Sequence, residues 1–272
     1  MLDPIAVGAA LAVASAALNA TWNLRIKASG DPLRVAALAF PLATALATPL
    51  VVAAWLLTGQ PGVPWPAMVI VLISGAVQVV YLHVLSRAYR DGDISSVYPT
   101  ARGTAPIVAV ALGVLVLGEQ LTGIQWVAVA ILVGGVWLVR PGAASAVALL
   151  PAITVGVLIA GYSALDRLGV QAAPWWLYGW LVQVVISILL LPSAHRGIPG
   201  VPLVAVLVGA SIVCVLVALS IAPLAVVAPV RFVGGTVIVA AWGVLRFGER
   251  ERMPQKLAGA AALVAGVVLL SV

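Results

Sequence analysis

Residues 117–139 read LGEQLTGIQWVAVAILVGGVWLV, and residues 247–269 read FGERERMPQKLAGAAALVAGVVL. Laid together, Gly118-Glu119 falls on Gly248-Glu249 and Gln125 falls on Gln255. The same register carried upstream places Ala88 on Ala218 and Pro99 on Pro229. An almost wholly apolar context surrounds these matches, so the repeated unit is one built for a bilayer. Duplicated units in a membrane chain put their functional sites at the interface between the copies.

Composition fixes the solvent. The 272 residues are 64% hydrophobic and 8% charged, with a mean hydropathy of +1.21. A soluble domain carries about 25% charged residues, so lipid must cover this surface. At about 20 apolar residues per crossing, the chain has room for roughly ten helices and no soluble catalytic domain. The apolar runs are continuous and lack the in-out alternation of a barrel wall.

The expected class is an all-α integral membrane protein of ten transmembrane helices, arranged as two inverted five-helix repeats. The spans fall at roughly 4–25, 33–57, 65–88, 94–117, 121–139, 145–167, 173–193, 200–220, 224–247 and 254–271. The modules are residues 1–140 and 145–272, and an odd number of spans in each reverses the second copy. Turn residues such as Ser29-Gly30-Asp31-Pro32 and Asp91-Gly92-Asp93 mark the connections. No Lys or Arg precedes the first apolar stretch, so that stretch is retained as the first helix and not cleaved as a signal.

The net charge of +6 is scattered at the ends of apolar runs, which sets topology and argues against a nucleic-acid partner. Connections after odd-numbered spans hold most of the Lys and Arg, from Arg25 and Lys27 to Arg252 and Lys256; those after even-numbered spans hold only Arg167. The positive-inside rule then puts both termini outside the plasma (inner) membrane. Cys214 stands alone in an apolar run and reads as a packing residue.

Two arginines fall inside spans: Arg102 three residues after Pro99, and Arg231 two residues after Pro229. At a rise of about 1.5 Å per residue, each lies roughly 10–12 Å in from opposite membrane faces. A guanidinium at that depth either binds an anionic group or is satisfied by carbonyls freed at the neighbouring proline. Pro99 and Pro229 each remove a helical hydrogen bond and mark expected kinks. Asn19, Trp22 and Asn23 share a face of the first span, facing either a substrate or a helix partner. Tyr162 recurs at the matching place in the sixth.

The third span adds Ser74, Gln78, Tyr81 and His83, of which His83 is a proton-relay candidate or a structural hydrogen-bonder. Tyr98 joins the expected pocket. Glu119 and Glu249 read as structural residues that open a helix after a glycine, where a carboxylate caps free amides. No acidic residue is placed within any span, so a carrier built on a membrane carboxylate lacks its central part. No metal cluster, nucleotide-binding loop or catalytic dyad is evident, so no catalytic residue, metal or cofactor is expected.

At Leu117-Gly118-Glu119-Gln120-Leu121-Thr122 with Gln125 and Gly135, and at Phe247-Gly248-Glu249-Arg250 with Gln255 and Gly266, the chain resembles the EamA family of the drug/metabolite transporter superfamily. The resemblance covers the whole chain. It implies secondary transport by alternating access, through a cavity lined by helices 1, 3, 4, 6, 8 and 9. Asn19-Ala20-Thr21-Trp22-Asn23 with Lys27 is similar to a His-Ala-x-Trp-Asn…Lys pattern of one subgroup, some of whose members are linked to phosphonate use; Asn19 replaces the His. Family members are usually drawn with cytoplasmic termini, the reverse of the charge count.

The resulting expectation is a carrier of a small polar or anionic metabolite of carboxylate, phosphate or phosphonate type. Arg102 and Arg231 attract the anion, and Asn19, Trp22, Asn23, Tyr81, Tyr98 and Tyr162 shape the pocket. The partners are a small-molecule substrate and the lipid bilayer; the oligomeric state is left open and compatible with a monomer. An exporter of amphipathic amino acids or drugs, with structural arginines, is the alternative. A membrane-embedded enzyme and a passive channel rank below it.

Overall fold

The computed structural model describes residues 3–91, 94–139, 146–194, 200–232, 235 and 253–270. Helices make up the fold, and no strand occurs among these residues. In chain order they are α1 (Pro4–Ala28), α2 (Pro32–Leu57), α3 (Trp65–Asp91), α4 (Ile94–Leu115), α5 (Gly123–Val139), α6 (Ala146–Ala172), α7 (Trp175–Leu190) and α8 (Val201–Ile221). A helical stretch at 224–232 follows (α9), then α10 (Met253–Leu270). Six of them (α1, α2, α3, α6, α7 and α8) are long and apolar enough to cross a membrane. The chain is therefore a multi-pass membrane protein.

Local chemistry sets the helix ends. Asp3 caps α1 by accepting from Ile5 N at 3.0 Å, with Pro4 in the first turn and Arg25 and Lys27 in the last. Both placements suit the helix dipole. Asp31 caps α2 in the same way through Arg34 N at 3.2 Å. Thr122 and Gln125 form a reciprocal capping box at the start of α5, Thr122 N to Gln125 Oε1 at 3.0 Å and Gln125 N to Thr122 Oγ1 at 3.3 Å. Gln125, a marker of the repeat, thus has a structural reason to be where it is.

Packing runs α1 along α8, α3 along α6, α2 along α7, α4 along α6 and α5 along α10, with α2 also on α8 and α3 on α7. Small residues make these approaches possible. Ala12, Ala16 and Ala20 form a fully buried stripe on α1 at every fourth position, and at Gly8 a Cβ would lie 2.6 Å from that of Ala222. Ser15 and Ser211 lock the α1–α8 crossing reciprocally, each hydroxyl donating to the other's carbonyl at 2.8 and 3.0 Å. Large residues point the other way: Leu50, Leu57, Leu115 and Leu150 are exposed. With lipid as solvent, small residues belong inside and bulky apolar ones face outward.

Two sequence expectations are corrected here. A membrane span does contain an acidic residue: α6 continues to Ala172 and buries Asp166. Arg167, assigned to a connection, lies in the same helix. Both are satisfied by neighbouring helices and do not end the span: Asp166 accepts from Ser74 and Tyr178, while Arg167 donates to the Leu219 carbonyl.

Glu119 is structural in a different place from the one expected. It does not open its own helix, because α5 begins at Gly123. Its two carboxylate oxygens accept from Leu224 N and Ala225 N, both at 2.8 Å, and so cap α9. Arg167 Nε stands 3.5 Å from Glu119 Oε1. Gly118, in the left-handed region at φ 68°, turns the chain ahead of this glutamate. Glu249 lies outside the described residues.

Candidate functional site

A cavity of about 50 Å³, apolar over most of its wall but bordered by several polar and charged side chains, opens among α1, α2, α3, α6, α7, α8 and α9. A water needs roughly 10–15 Å³ measured this way, so the cavity accommodates a few waters or a very small solute in this conformation. From α1 come Asn19 and Trp22; from α2 comes Phe40, whose ring meets Trp22 edge to face with centroids 6.4 Å apart. Gln78 and Tyr81 enter from α3, and Tyr162 and Asp166 from α6. The Tyr81 and Tyr162 rings stand 5.7 Å apart, tilted by 58°. Tyr178 and Gln183 enter from α7, and Arg231 from α9.

The floor of this site is a buried hydrogen-bond chain. Asp166 Oδ1 accepts from Ser74 Oγ at 2.6 Å and from Tyr178 OH at 2.8 Å. Gln78 Nε2 donates to Ser74 Oγ at 3.1 Å, which leaves the Ser74 proton free to point at the carboxylate. A charged group inside a membrane is costly and normally faces a cavity or a partner; Asp166 has both. Tyr178 reaches it because Gly169, one turn along α6, carries no side chain: a Cβ there would collide with the Tyr178 ring. Gly169→Ala is expected to displace that ring, at about 1–3 kcal/mol for overpacking. A lower thermal midpoint together with a Tyr178 hydroxyl more open to solvent would check this.

Arg231 is 6% exposed, and its Nε has no hydrogen-bond partner. Gln183 Oε1 is likewise buried without one. Both line the cavity. Unmatched buried polar atoms cost about 1–3 kcal/mol each, and more when charged, so the cavity is bordered by a donor on α9 and an acceptor on α7 that the protein itself leaves unpaired.

Of the residues singled out from sequence, Asn19, Trp22, Tyr81, Tyr162 and Arg231 meet at this cavity. Asn23 is buried one turn from Asn19 and donates to its carbonyl at 2.9 Å, outside the lining. His83 is half-buried, its Nδ1 2.9 Å from the Val79 carbonyl of its own helix, and it does not line the cavity. Pro229 is buried within α9, where the Ala225 carbonyl lacks its usual helical donor. Tyr98, Pro99 and Arg102 belong to α4, but their side chains lie outside the described residues.

Sequence reading missed Asp166, Tyr178 and Gln183. The available signal was the stretch Leu168 to Ala173 beyond the charged pair, where Gly169 alone interrupts helix-compatible residues before Pro174. Of the helices expected from the family pattern, α1, α3, α6, α8 and α9 line the cavity among the described residues, and α7 and, through Phe40, α2 line it as well.

Fold and site together define a polytopic helical membrane protein that encloses a charged cavity. Residues 4–140 match the model of the EamA-like transporter family, and the chain belongs to that family. It is a membrane transporter of the drug/metabolite type. A crystal structure described only as that of a protein shares the fold over 97% of this chain and 98% of its own, with a TM-score of 0.73 at 16% identity. No curated protein matches the chain.

Proposed function

We propose that the protein is a secondary active carrier of a small polar or anionic metabolite, of carboxylate, phosphate or phosphonate type, across the plasma membrane. The observation that carries this reading is Arg231, a buried guanidinium that lines the cavity and whose Nε has no hydrogen-bond partner. A guanidinium matches such oxyanions in two-pronged fashion. Asn19, Trp22, Tyr81 and Tyr162 complete the pocket, and Arg102 is the second arginine of the proposed site.

Alternating access follows from two inverted five-helix modules, 1–140 and 145–272, in a ten-span chain with both termini outside. Exchanging helix 1 with 6, 2 with 7, 3 with 8 and 5 with 10 maps the α1–α8 packing onto α3–α6, and α2–α8 onto α3–α7. The α2–α7 and α5–α10 pairs map onto themselves. A repeat interface with this exchange is where carriers rock about a central site.

Proteoliposomes holding the full chain test the proposal with labelled lactate, methylphosphonate and inorganic phosphate. Saturable uptake accelerated by the same solute on the far side is the expected result; linear flux without such acceleration indicates a channel and sinks the carrier reading.

One observation favours a second substrate class. An apolar groove of about 410 Å³ between α2, α7 and α8 shares Gly179, Gln183, Ile212 and Leu216 with the cavity that holds Arg231. An amphipathic solute would place its apolar part there. Uptake of apolar amino acids that survives loss of Arg231 would select this alternative.

A further inference from the structure

We propose that Asp166 is a proton-binding site coupled to anion binding at Arg231, so that the carrier takes up a proton with each anion. This rests on the anion reading above. The two residues line one cavity from different helices, α6 and α9. Asp166 is buried, and what holds its Oδ1 is a pair of neutral hydroxyls, those of Ser74 and Tyr178. No Lys or Arg among the described residues forms an ion pair with it; the neighbouring Arg167 is engaged by Glu119.

The charges around Asp166 are few. α3 presents Ser74, with Gln78 behind it, and Tyr81 in the same cavity, while His83 bonds its own helix. α7 presents Tyr178 as its titratable group, and α8 carries only Cys214. α9 presents Arg231. On α4 the charged residue is Arg102, whose side chain lies outside the described residues.

With the cavity free of anion, the Arg231 guanidinium and the Asp166 carboxylate offset one another across it. An anion seated on Arg231 uses that positive charge and adds a second negative charge beside Asp166. Two like charges confined in a low-dielectric space disfavour each other, and protonation of one relieves the conflict. The proton comes from bulk water and forms an O–H bond on the Asp166 carboxylate, with no oxidation or reduction. Coupling of this kind is reciprocal: the proton strengthens anion binding by the factor with which the anion strengthens proton binding.

The purified full chain is titrated with lactate, methylphosphonate and inorganic phosphate by calorimetry in two buffers of different protonation heat. Wild type and Asp166→Asn are compared, so that ionisation of the probe itself cancels. The expected result is net proton uptake in wild type that Asp166→Asn abolishes. Lactate affinity should rise about tenfold per unit fall in pH, a slope lost in the variant. Asp166→Glu keeps a carboxyl and should keep the slope; the thermal midpoint in detergent and a single symmetric size-exclusion peak report that each variant is assembled. If a probe binds wild type with the same proton count as Asp166→Asn, or if an assembled Asp166→Glu binds the probe but loses the slope, the coupling is overturned and the anion site stands. If none of the probes binds, the anion reading falls and the coupling with it.

Discussion

Arg231→Met is expected to abolish anion transport while leaving a protein that assembles and withstands heat as well as wild type. The two halves of that result have one cause. A charge-assisted, two-pronged contact in a dry site contributes about 3–4 kcal/mol to binding, and each 1.4 kcal/mol is a factor of about ten. Affinity should therefore drop by roughly two to three powers of ten. The empty protein, by contrast, gains little from this side chain. Arg231 is buried with its Nε unmatched, and replacing a poorly paired buried charge by an apolar group of similar volume is often neutral or stabilising. Solute counterflow measures the first effect, and the thermal midpoint in detergent measures the second. Transport of all three probe anions at wild-type rates would remove Arg231 from the site; a large fall in thermal midpoint would make it a structural arginine.

What could be read in the sequence follows the range of the interactions involved. Hydrophobic length and turn residues are local, and they locate the described helices closely: α2 spans Pro32–Leu57 and α8 spans Val201–Ile221, against expectations of 33–57 and 200–220. The sixth helix departs most, because adjacent charges at Asp166-Arg167 imitate a membrane boundary. Only partners distant in sequence, Ser74 on one side and Leu219 on the other, make those charges tolerable inside. Asn19, Trp22, Tyr81 and Tyr162 were legible because polar residues in an apolar span are conspicuous. Tyr178 was hidden among the aromatic residues opening α7, where a ring at the headgroup level is ordinary. Its role depends on Gly169 clearing its path, which no local pattern announces.

Glu119 makes the same point with larger energetic consequences. The amides it caps lie 105 and 106 residues further on, at Leu224 and Ala225, so its importance comes from a contact between distant parts of the chain. Glu119→Ala is expected to destabilise the protein by about 3 kcal/mol. Losing an N-terminal cap costs about 0.5–2 kcal/mol, and removing one member of a buried pair costs about 3–5 kcal/mol when the other is stranded. The two are not additive here, because the Arg167 side chain is 14% exposed and also donates to the Leu219 carbonyl. Glu119→Gln retains an accepting oxygen and should cost about half as much, mainly through the charge left on Arg167.

The function should change as well as the stability. The capped helix is the one that carries Arg231, seven residues beyond the capped amide of Leu224, so a loosened α9 start displaces the guanidinium. Weaker solute affinity with a lower thermal midpoint is the signature expected of Glu119→Ala. Adding Arg167→Met to Glu119→Gln should restore part of the midpoint, since the stranded charge is then gone. A Glu119→Ala protein as heat-stable as wild type would show that the α9 amides and Arg167 find other partners, and would break the proposed link between this cap and the position of Arg231.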